Sequence, residues 1–358
     1  MTKHPKIPLD KNCYFKNRAY HFKNKGNNIL YNILLCSAGK RCALVKAVKE
    51  SLGARGRVVV ADMDCTAPAL YFADKSYVVP RVDSKEYIDV ILDICERESI
   101  KAITTLIDSE VSLLAKNKEK FQDLGILLLA SEVQTADLCF DRYSIYKIMH
   151  ENHINTIKTY LTIEEATSAI KAKEISFPVF VKPRYGSGSV GSKVVLTFAD
   201  LEHILALSSD LIVQEYLTAP LFIDTDIYVD CFSTRVVSIF AKMLLENKTI
   251  GAGKTVSFKD DRLFDMIHNI NGLFEFAGPI DMDFFCINGK YILADINPRF
   301  GGAYVHSAGA GVDFVPLIIN NIDGKINEPD IGNYEKNIMM IVYEDFIIKK
   351  QDELIMRK

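Results

Sequence analysis

Short apolar runs alternate with amphipathic segments along the first third of the chain. Apolar runs bounded by turn residues are typical of buried strands, and an apolar stripe every three or four residues is typical of a helix. The predicted elements are, in order, strand Tyr31–Cys36, helix Arg41–Leu52, strand Val58–Asp62, strand Tyr77–Pro80, helix Tyr87–Glu98, strand Ala102–Leu106, helix Glu110–Phe121 and strand Ile126–Leu129. Because strands that alternate with helices form parallel sheets, this part predicts a doubly wound parallel sheet of the α/β class.

From Asp141 onward the pattern favours antiparallel strands joined by short turns, which is typical of an α+β arrangement. After a helix from Asp141 to about His150, a small unit is predicted from helix Ile163–Lys173, strand Val179–Lys182, strand Val194–Thr197, helix Asp200–Leu207 and strand Leu211–Glu215. A second layer is predicted from strands Ile227–Phe232 and Val236–Leu244, a helix near Arg262–Phe276, the hairpin Ile280–Asn297 and a strand within Ile338–Tyr343.

These patterns divide the chain into a leader at 1–28, a sheet domain at 29–136, an α+β domain at 137–325 and a C-terminal extension at 326–358. Within the α+β domain, the small unit spans about 158–212 and the second layer about 213–325. The leader is polar and basic and lacks the apolar core of a signal peptide. No apolar run in the sequence approaches the length of a membrane span.

Charge and cysteine content narrow the classes of partner. The chain has 358 residues and a net charge of −3, so no overall field favours nucleic acid or an anionic membrane as a partner. Its eight cysteines include no C-x-x-C pair. We interpret them as reduced, mostly buried thiols of a cytoplasmic protein.

Two predicted strands bring oxygen ligands and a cation to one face of a sheet. Asp295, Asn297 and Arg299 occupy alternate positions, and side chains on a strand alternate between its faces. Asp283 lies in the preceding strand, and the Asn-Gly pair between the strands favours a tight hairpin. Carboxylate and carboxamide oxygens suit Mg²⁺ beside substrate phosphates, and a nearby cation can neutralise a phosphoryl group in transfer. The structural alternative is a set of strand-end salt bridges.

A glycine- and serine-rich loop follows Lys182. It contains Gly186, Ser187, Gly188, Ser189, Gly191 and Ser192. Glycine lets backbone N–H groups approach phosphate oxygens closely, and lysine supplies a compact positive charge. Because the loop joins two strands, it is neither a Walker A motif nor a Rossmann fingerprint. The pattern predicts a phosphate-binding hairpin, with a plain flexible hairpin as the alternative.

Weaker candidates for substrate binding lie at the ends of strands and just past Arg299. They are Gly39, Lys40, Asp108, Glu110, Lys254 and His306. The first two occupy the turn after the first strand, where open α/β sheets bind ligands; a plain turn is the alternative. The two acids follow a strand at the same sheet edge and either contact substrate or open the next helix. The lysine lies in a loop, and the histidine either meets substrate or is structural.

Taken in order, these motifs resemble those of ATP-grasp enzymes, and within them half of a carbamoyl-phosphate synthase large subunit. The resemblance covers roughly residues 30–325. Its landmarks are Asp141-Arg142 with Lys147, the strand and glycine loop at 177–192, the segment Val213–Tyr216, the segment Tyr228–Asp230, and the polar set from Asp283 to Arg299. The resemblance implies an ATP-grasp fold with a pre-ATP-grasp domain at 29–136, a lid at about 158–212 and a metal-binding subdomain at about 213–325.

The resemblance also implies roles for individual residues. The implied ATP-binding residues are Arg142, Lys182, Ser187, Gly188, Ser189, Glu215, Tyr216 and Leu217; the implied metal ligands are Asp283, Asp295 and Asn297; and the implied catalytic residues are Lys182 and Arg299. ATP and one or two Mg²⁺ ions are the implied cofactors, and Mn²⁺ can substitute. The chain departs from the family at Asp295 and Asp226, because the family usually carries Glu at both positions.

Three functions are compatible with the sequence. The first is a ligase that phosphorylates a small carboxylate with MgATP and transfers the acyl group to a small amine, with a homodimer as the assembly. The second is a carbamoyl-phosphate-synthase-like enzyme that phosphorylates bicarbonate or carbamate, with partner chains because only one ATP-grasp unit is present. The third is a nucleotide-binding regulator without activity, which would require loss of Lys182, Asp283 or Arg299.

Overall fold

The computed structural model describes residues 30–186, 191–208, 210–245 and 253–355. The leader at 1–28 lies outside these described residues, and so do Ser187, Gly188 and Ser189 of the predicted phosphate-binding loop. The described residues form three sheets. The sheets follow one another along the chain, and the last strand of the third sheet comes after two helices.

The first sheet is parallel, with strand order β3-β2-β1-β4-β5. Its elements are β1 (Asn32–Cys36), α1 (Cys42–Leu52), β2 (Val58–Asp62), β3 (Lys75–Val78), α2 (Tyr87–Arg97), β4 (Ile100–Thr105), α3 (Asp108–Lys116), α4 (Lys118–Asp123) and β5 (Leu127–Leu128). Ile33 and Leu35 enter a core with α1, whereas Leu34 and Cys36 enter a separate core with α2. Helices therefore cover both faces, which confirms the predicted doubly wound sheet.

The second sheet is small and has its own core. After α5 (Val133–Phe140), its region consists of α6 (Arg142–Glu151), β6 (Thr159–Tyr160), α7 (Ile163–Lys171), β7 (Val179–Pro183), β8 (Lys193–Val195), α8 (Phe198–Leu207) and β9 (Leu211–Glu215). The strands are antiparallel, in the order β6-β9-β7-β8. Strand β8 is an edge strand of this sheet.

The third sheet is antiparallel, with the order β14-β13-β10-β11-β12-β15. Its region consists of β10 (Leu221–Val229), β11 (Val236–Leu244), β12 (Lys254–Phe258), α9 (Asp261–Asn271), β13 (Gly278–Ile287), β14 (Lys290–Asn297), α10 (Tyr304–Gly309), α11 (Val315–Ile322) and β15 (Met339–Ile341). Helices α10 and α11 contact α1 of the first sheet. One continuous hydrophobic core therefore joins the first and third sheets.

The structure changes several predicted bounds. The helix predicted at 110–121 is divided into α3 and α4 at Asn117, a residue type that competes with helical hydrogen bonding. The strand predicted at 227–232 instead spans Leu221–Val229. Helices α5, α10 and α11 and strands β6 and β12 were not predicted. In the part of the chain that the structure describes, no helix is long and apolar enough to cross a bilayer.

Candidate active site

One face of the third sheet carries charged and amide side chains on four neighbouring strands. In register across the sheet they are Lys242 on β11, Asp224 and Asp226 on β10, Asp281 and Asp283 on β13, and Asp295 and Asn297 on β14. Residues two apart on a strand share a face, and residues directly opposite each other across antiparallel strands are neighbours. The hairpin predicted from the sequence is therefore one half of a wider polar face.

Lys242 is fully buried and pairs with both carboxylates of β10. Its Nζ lies 2.8 Å from Asp224 Oδ1 and donates a hydrogen bond to Asp226. Burial opposes the charge, but the two carboxylates raise the pKa of Lys242 above its ordinary value. Burial raises the pKa of Asp224 even beside this lysine. The lysine is a fixed positive charge inside an acidic cluster.

Buried carboxylate oxygens of this cluster are left without hydrogen bonds. Among the described residues, these are Asp224 Oδ1, which lies 2.8 Å from Lys242 Nζ, Asp226 Oδ1 and Asp281 Oδ1. The last two lie against Gly301, where an added Cβ would collide with Asp226 Oδ1 and lie 3.1 Å from Asp281 Oδ1. Ser307, in α10, donates a hydrogen bond of 2.6 Å to Asp226 Oδ2. The segment after Arg299 is therefore packed directly onto the acidic face, and glycine is needed at position 301.

Arg299 is buried and is held from two domains. Its Nη1 donates to Asp281 Oδ2 and to the Phe300 carbonyl, each at 2.9 Å. Its Nη2 donates to Asp108 Oδ2 at 3.2 Å, and its Nε lies 3.0 Å from Asp108 Oδ1. Burial lowers the pKa of Arg299, but Asp108 and Asp281 raise it more, so the net pKa is above its usual range. Asp108 opens α3 at the carboxyl edge of the first sheet, so the first sheet fixes the predicted catalytic cation.

The three predicted metal ligands lie on the same face. Asp283 and Asp295 are directly opposite each other on β13 and β14. Asn297 donates to Asp281 Oδ2 at 3.1 Å, and Asp295 Oδ2 lies 3.3 Å from Arg142 Nε. Burial and the neighbouring Asp281 raise the pKa of Asp283 well above its ordinary value. The carboxylates repel one another, and a bound cation would relieve this repulsion.

The start of α6 connects the second sheet to this face. Asp141 caps α6 by accepting hydrogen bonds from Tyr143 N and Ser144 N, and it pairs with Arg184, the residue after β7. The next residue, Arg142, donates to the Pro183 carbonyl at 2.9 Å as well as pairing with Asp295. Two consecutive residues therefore hold the base of the glycine hairpin beside the acidic face.

Two of the predicted nucleotide-binding residues, Lys182 and Glu215, lie on neighbouring strands of the second sheet. Lys182 on β7 is opposite Ile212 on β9, and Glu215 is opposite Val179. Tyr216 and Leu217 come directly after β9. Burial lowers the pKa of Lys182, and its positive charge lies near Asp295 and Asp283.

Glu110, one of the predicted substrate residues, lies inside a core. It is fully buried and accepts hydrogen bonds from Ser37, Tyr87 and Thr105, and burial raises its pKa. Three hydroxyl groups already satisfy this carboxylate inside the core, which favours a structural role. Gly39 has φ +53° and donates its N–H to Asp62 Oδ2 at 2.8 Å, so the turn after β1 has a defined shape. Lys40 is exposed at this turn.

His306 and Lys254, also predicted to meet substrate, lie in a buried hydrogen-bond network and at the start of a strand, respectively. His306 is buried, its Nδ1 is hydrogen-bonded to Thr255 at 2.8 Å, and its Nε2 lies 3.1 Å from the Ile338 carbonyl. These bonds connect α10, β12 and the segment before β15, which favours the structural alternative for the histidine. Lys254 was predicted in a loop but is the first residue of β12.

Sequence reasoning did not single out Asp224, Asp281, Lys242 or Arg41, and it assigned no role to Asp226. The pairs Asp224 with Asp226 and Asp281 with Asp283 could have been recognised from the sequence, because the members of each pair occupy alternate positions in an apolar strand, as Asp295 and Asn297 do. Lys242 and Arg41 carried none, since their significance depends on which strand and which domain lie beside them.

Two family models match the chain. Residues 33–129 match the PylC-like N-terminal domain, and residues 141–237 match the ATP-binding domain of the carbamoyl-phosphate synthase L chain. The arginine-specific carbamoyl phosphate synthase large chain of Bacillus subtilis is 23% identical over 268 residues, which are 70% of this chain and 25% of that protein. The mitochondrial methylcrotonoyl-CoA carboxylase subunit alpha of Dictyostelium discoideum is 24% identical over 217 residues, or 55% of this chain and 30% of that protein. The chain thus spans only about a quarter to a third of these relatives.

Solved structures share the fold. The N5-carboxyaminoimidazole synthetase of Staphylococcus aureus, complexed with ADP, has a TM-score of 0.67 at 17% identity and covers 89% of this chain and 83% of its own. The biotin carboxylase domain of the Hydrogenobacter thermophilus 2-oxoglutarate carboxylase, in complex with MgADP, ADP and bicarbonate, has a TM-score of 0.67 at 17% identity and covers 87% and 73%. The matched domains, their order and the shared fold show that this chain has the ATP-grasp fold, with an ATP-binding region similar to that of the carbamoyl-phosphate synthase L chain.

Proposed function

We propose that this protein is an ATP-dependent ligase that joins a small-molecule carboxylate to an amine through an acyl phosphate. The observation that supports this most directly is the buried Arg299, held by Asp108 and Asp281, on the face where Asp283 and Asp295 oppose each other. A fixed cation beside paired carboxylates suits phosphoryl transfer, in which positioning and charge neutralisation supply most of the catalysis.

The reaction has two steps. In the first, a carboxylate oxygen attacks the γ-phosphorus of ATP, the bond to the β,γ-bridging oxygen breaks, and ADP leaves. In the second, the amine nitrogen attacks the acyl carbon, inorganic phosphate leaves, and the amine loses a proton. Arg299 stabilises the charge on the transferred group, and Lys182 contacts the phosphates from β7. The hairpin after Lys182 excludes water, because an acyl phosphate hydrolyses readily.

The nucleotide is proposed to lie between the second and third sheets. Arg142 would border the phosphates, and Glu215, Tyr216 and Leu217 would contact the adenine or ribose at the end of β9. This placement is supported by the continuity from β9 and β7 to the acidic face through Arg142 and Asp295.

The acidic face fits a divalent cation. Asp226 Oδ1 and Asp281 Oδ1 are buried without hydrogen bonds among the described residues, and the pKa of Asp283 is raised by burial and by neighbouring acids. Asp283, Asp295 and Asn297 would hold one or two Mg²⁺ ions, or Mn²⁺ in their place, because these are hard oxygen donors. A bound ion would neutralise charge on the transferred phosphoryl group.

A second candidate is phosphorylation of bicarbonate or carbamate. It is favoured by the names of the relatives, which include carbamoyl phosphate synthase large chains, and by the bicarbonate in one structural neighbour. Partner chains would then supply the remaining activities. A homodimer is the assembly we propose to test first, by light scattering of the purified chain.

The test is release of ADP and phosphate from MgATP with pooled carboxylates or bicarbonate, each with and without amines. We expect release that requires both a carboxylate and an amine. The Asp283→Asn variant should lose this turnover, and the matched control Asp265→Asn, on the exposed face of α9, should keep it. Turnover with bicarbonate and ammonia alone would favour the second candidate, and full turnover in Asp283→Asn would contradict both.

A further inference from the structure

A cavity of about 1070 Å³ opens at the segment that follows Arg299. Three of its walls are the start of α1, the segment at 66–72 after β2, and the start of α10 just past Arg299. Open α/β folds bind ligands at the carboxyl edge of their parallel sheet. Here this edge meets the segment that follows Arg299. The volume is at the upper end of the range for sites that enclose a whole organic molecule, so a bicarbonate ion would fill little of it.

The fourth wall is the C-terminal extension. Strand β15 pairs with β12, the Val342 N–H donates to the Gly253 carbonyl at 3.0 Å, and the Ile355 N–H donates to Tyr71 Oη at 3.4 Å. The extension therefore runs from the edge of the third sheet to the first domain. Its residues between these anchors border the cavity.

Arg41 connects the cavity to the reaction face. It lines the cavity, and its Nη1 donates to the Phe300 carbonyl at 2.9 Å. Burial and the nearby Arg299 lower the pKa of Arg41 to about 10, so it stays ionised. Among the described residues it has no carboxylate within ion-pair distance. A largely buried guanidinium without a paired anion is suited to bind a carboxylate from a ligand.

The rest of the cavity combines apolar and aromatic side chains with charged ones, among them Lys46, Lys349, Glu344 and Asp345. Lys46 Nζ lies 4.1 Å from the centre of the Phe72 ring, and Lys349 Nζ lies 5.8 Å from that of Tyr71, so both lysines are engaged by aromatic faces. In the C-terminal wall, Phe346 is 82% exposed. A large apolar side chain exposed at the mouth of a cavity is a surface that an apolar ligand would cover.

We propose that this cavity binds the carboxylate substrate as an acid with an apolar body, with its carboxylate at Arg41 and its body between Phe72 and Phe346 of the C-terminal extension. This inference rests on the proposed ligase function and specifies its substrate class. The extension becomes part of the substrate site, and the carboxylate lies beside the Phe300 carbonyl, next to the cation that would stabilise phosphoryl transfer.

The direct test is calorimetric titration of the full chain with 3-phenylpropionate, compared with acetate. We expect the aromatic acid to bind at least about tenfold more tightly, because each added methylene that fills a hydrophobic pocket increases affinity about tenfold or more. Phe346→Ser should weaken this binding about threefold to tenfold. The control is Ile348→Ser, which changes a side chain that is 94% exposed and does not line the cavity. Arg41→Met should abolish the binding, whereas Arg81→Met, on the surface of the same domain, should not change it.

Turnover separates this inference from the proposed function. With MgATP and hydroxylamine, an acyl phosphate is trapped as a hydroxamate while phosphate leaves. Hydroxamate formation that follows the same order of acids and variants supports both ideas. Binding that depends on Arg41 and Phe346 without hydroxamate supports the cavity and contradicts the ligase function. Equal binding in Phe346→Ser and Ile348→Ser, or no binding of the aromatic acid, overturns the inference even if ATP is turned over with bicarbonate.

Discussion

Replacing Asp108 with asparagine tests whether the first domain positions Arg299, the proposed catalytic cation. The Asp108 side chain is 8% exposed and contacts both Nε and Nη2 of Arg299. Removing one member of a buried ion pair costs about 3–5 kcal/mol. Asparagine keeps one acceptor oxygen, and Arg299 keeps Asp281 and the Phe300 carbonyl, so we expect a smaller loss of about 2–3 kcal/mol in the free energy of unfolding.

The matched control is Asp93→Asn in α2. Asp93 pairs with Arg97 on the surface of the same domain, and the two side chains are 59% and 51% exposed. An exposed pair contributes about 0–1 kcal/mol because water screens it and both side chains lose entropy. Both variants replace a carboxylate with an amide, so the difference between their losses of unfolding free energy measures the effect of burial.

Thermal unfolding and steady-state kinetics provide the two readouts. A loss of 1 kcal/mol lowers Tm by about 2–4 °C in a domain of 150–250 residues. We also expect kcat to fall about tenfold or more at nearly constant KM for ATP, because a small displacement of a catalytic group slows the chemical step. Asp108→Glu should restore part of the rate. The reasoning is refuted if Asp108→Asn matches Asp93→Asn in both Tm and kcat, since Asp281 alone would then suffice to hold Arg299.

Three further outcomes follow from the structure. Gly301→Ala should destabilise the protein by about 1–3 kcal/mol, because the added methyl group overpacks against a buried carboxylate. Gly302→Ala should not destabilise it, because the added Cβ meets no atom within 4 Å. Equal Tm values for the two variants would contradict this packing. Lys182→Met should lower kcat/KM for ATP about a hundredfold, and Lys193→Met, exposed on the same hairpin, should leave it unchanged within about threefold. Asp260 has a pKa lowered to about 2, chiefly by Arg262. The resulting contribution to the free energy of unfolding, limited to about 1 kcal/mol by solvent screening, is present above the unfolded pKa near 4 and is lost as pH falls toward 2. The difference in stability between the protein and Asp260→Asn should therefore vanish in that range.

Local patterns predicted the elements that carry the site. Alternation placed Asp295 and Asn297 on one face of β14, and the Asn-Gly turn placed Asp283 on the strand beside it, because a tight hairpin determines its own register. The glycine hairpin after Lys182 was likewise visible from residues close in sequence. The fold class followed from the order of strands and helices alone.

Contacts between distant segments could not be predicted in this way. Strand β10 pairs with β13 across a long intervening stretch, so nothing local indicated that Asp224 would lie opposite Asp283. Lys242 could be interpreted only after β11 was placed beside β10. The role of Arg41 depends on the docking of two domains. The turn after β1, beside it in sequence, indicated only that ligands bind at this edge of the sheet. Polar clusters that combine residues from several strands and domains are determined by tertiary packing, and the periodicity of apolar positions along the sequence does not predict that packing.

The Phe300 carbonyl explains why substrate binding and phosphoryl transfer would stay aligned. It accepts hydrogen bonds from Arg41, at the start of α1, and from Arg299, which is also held by Asp108 at the start of α3. Both helices begin at the carboxyl edge of the first sheet and are packed into its cores, so a rigid-body shift of that sheet would move Arg41 and Asp108 together. A carboxylate bound at Arg41 would then keep its position relative to Arg299. Because effective catalysis depends on the relative placement of the reacting groups, this shared carbonyl would make the docking of the first domain part of the proposed catalytic geometry.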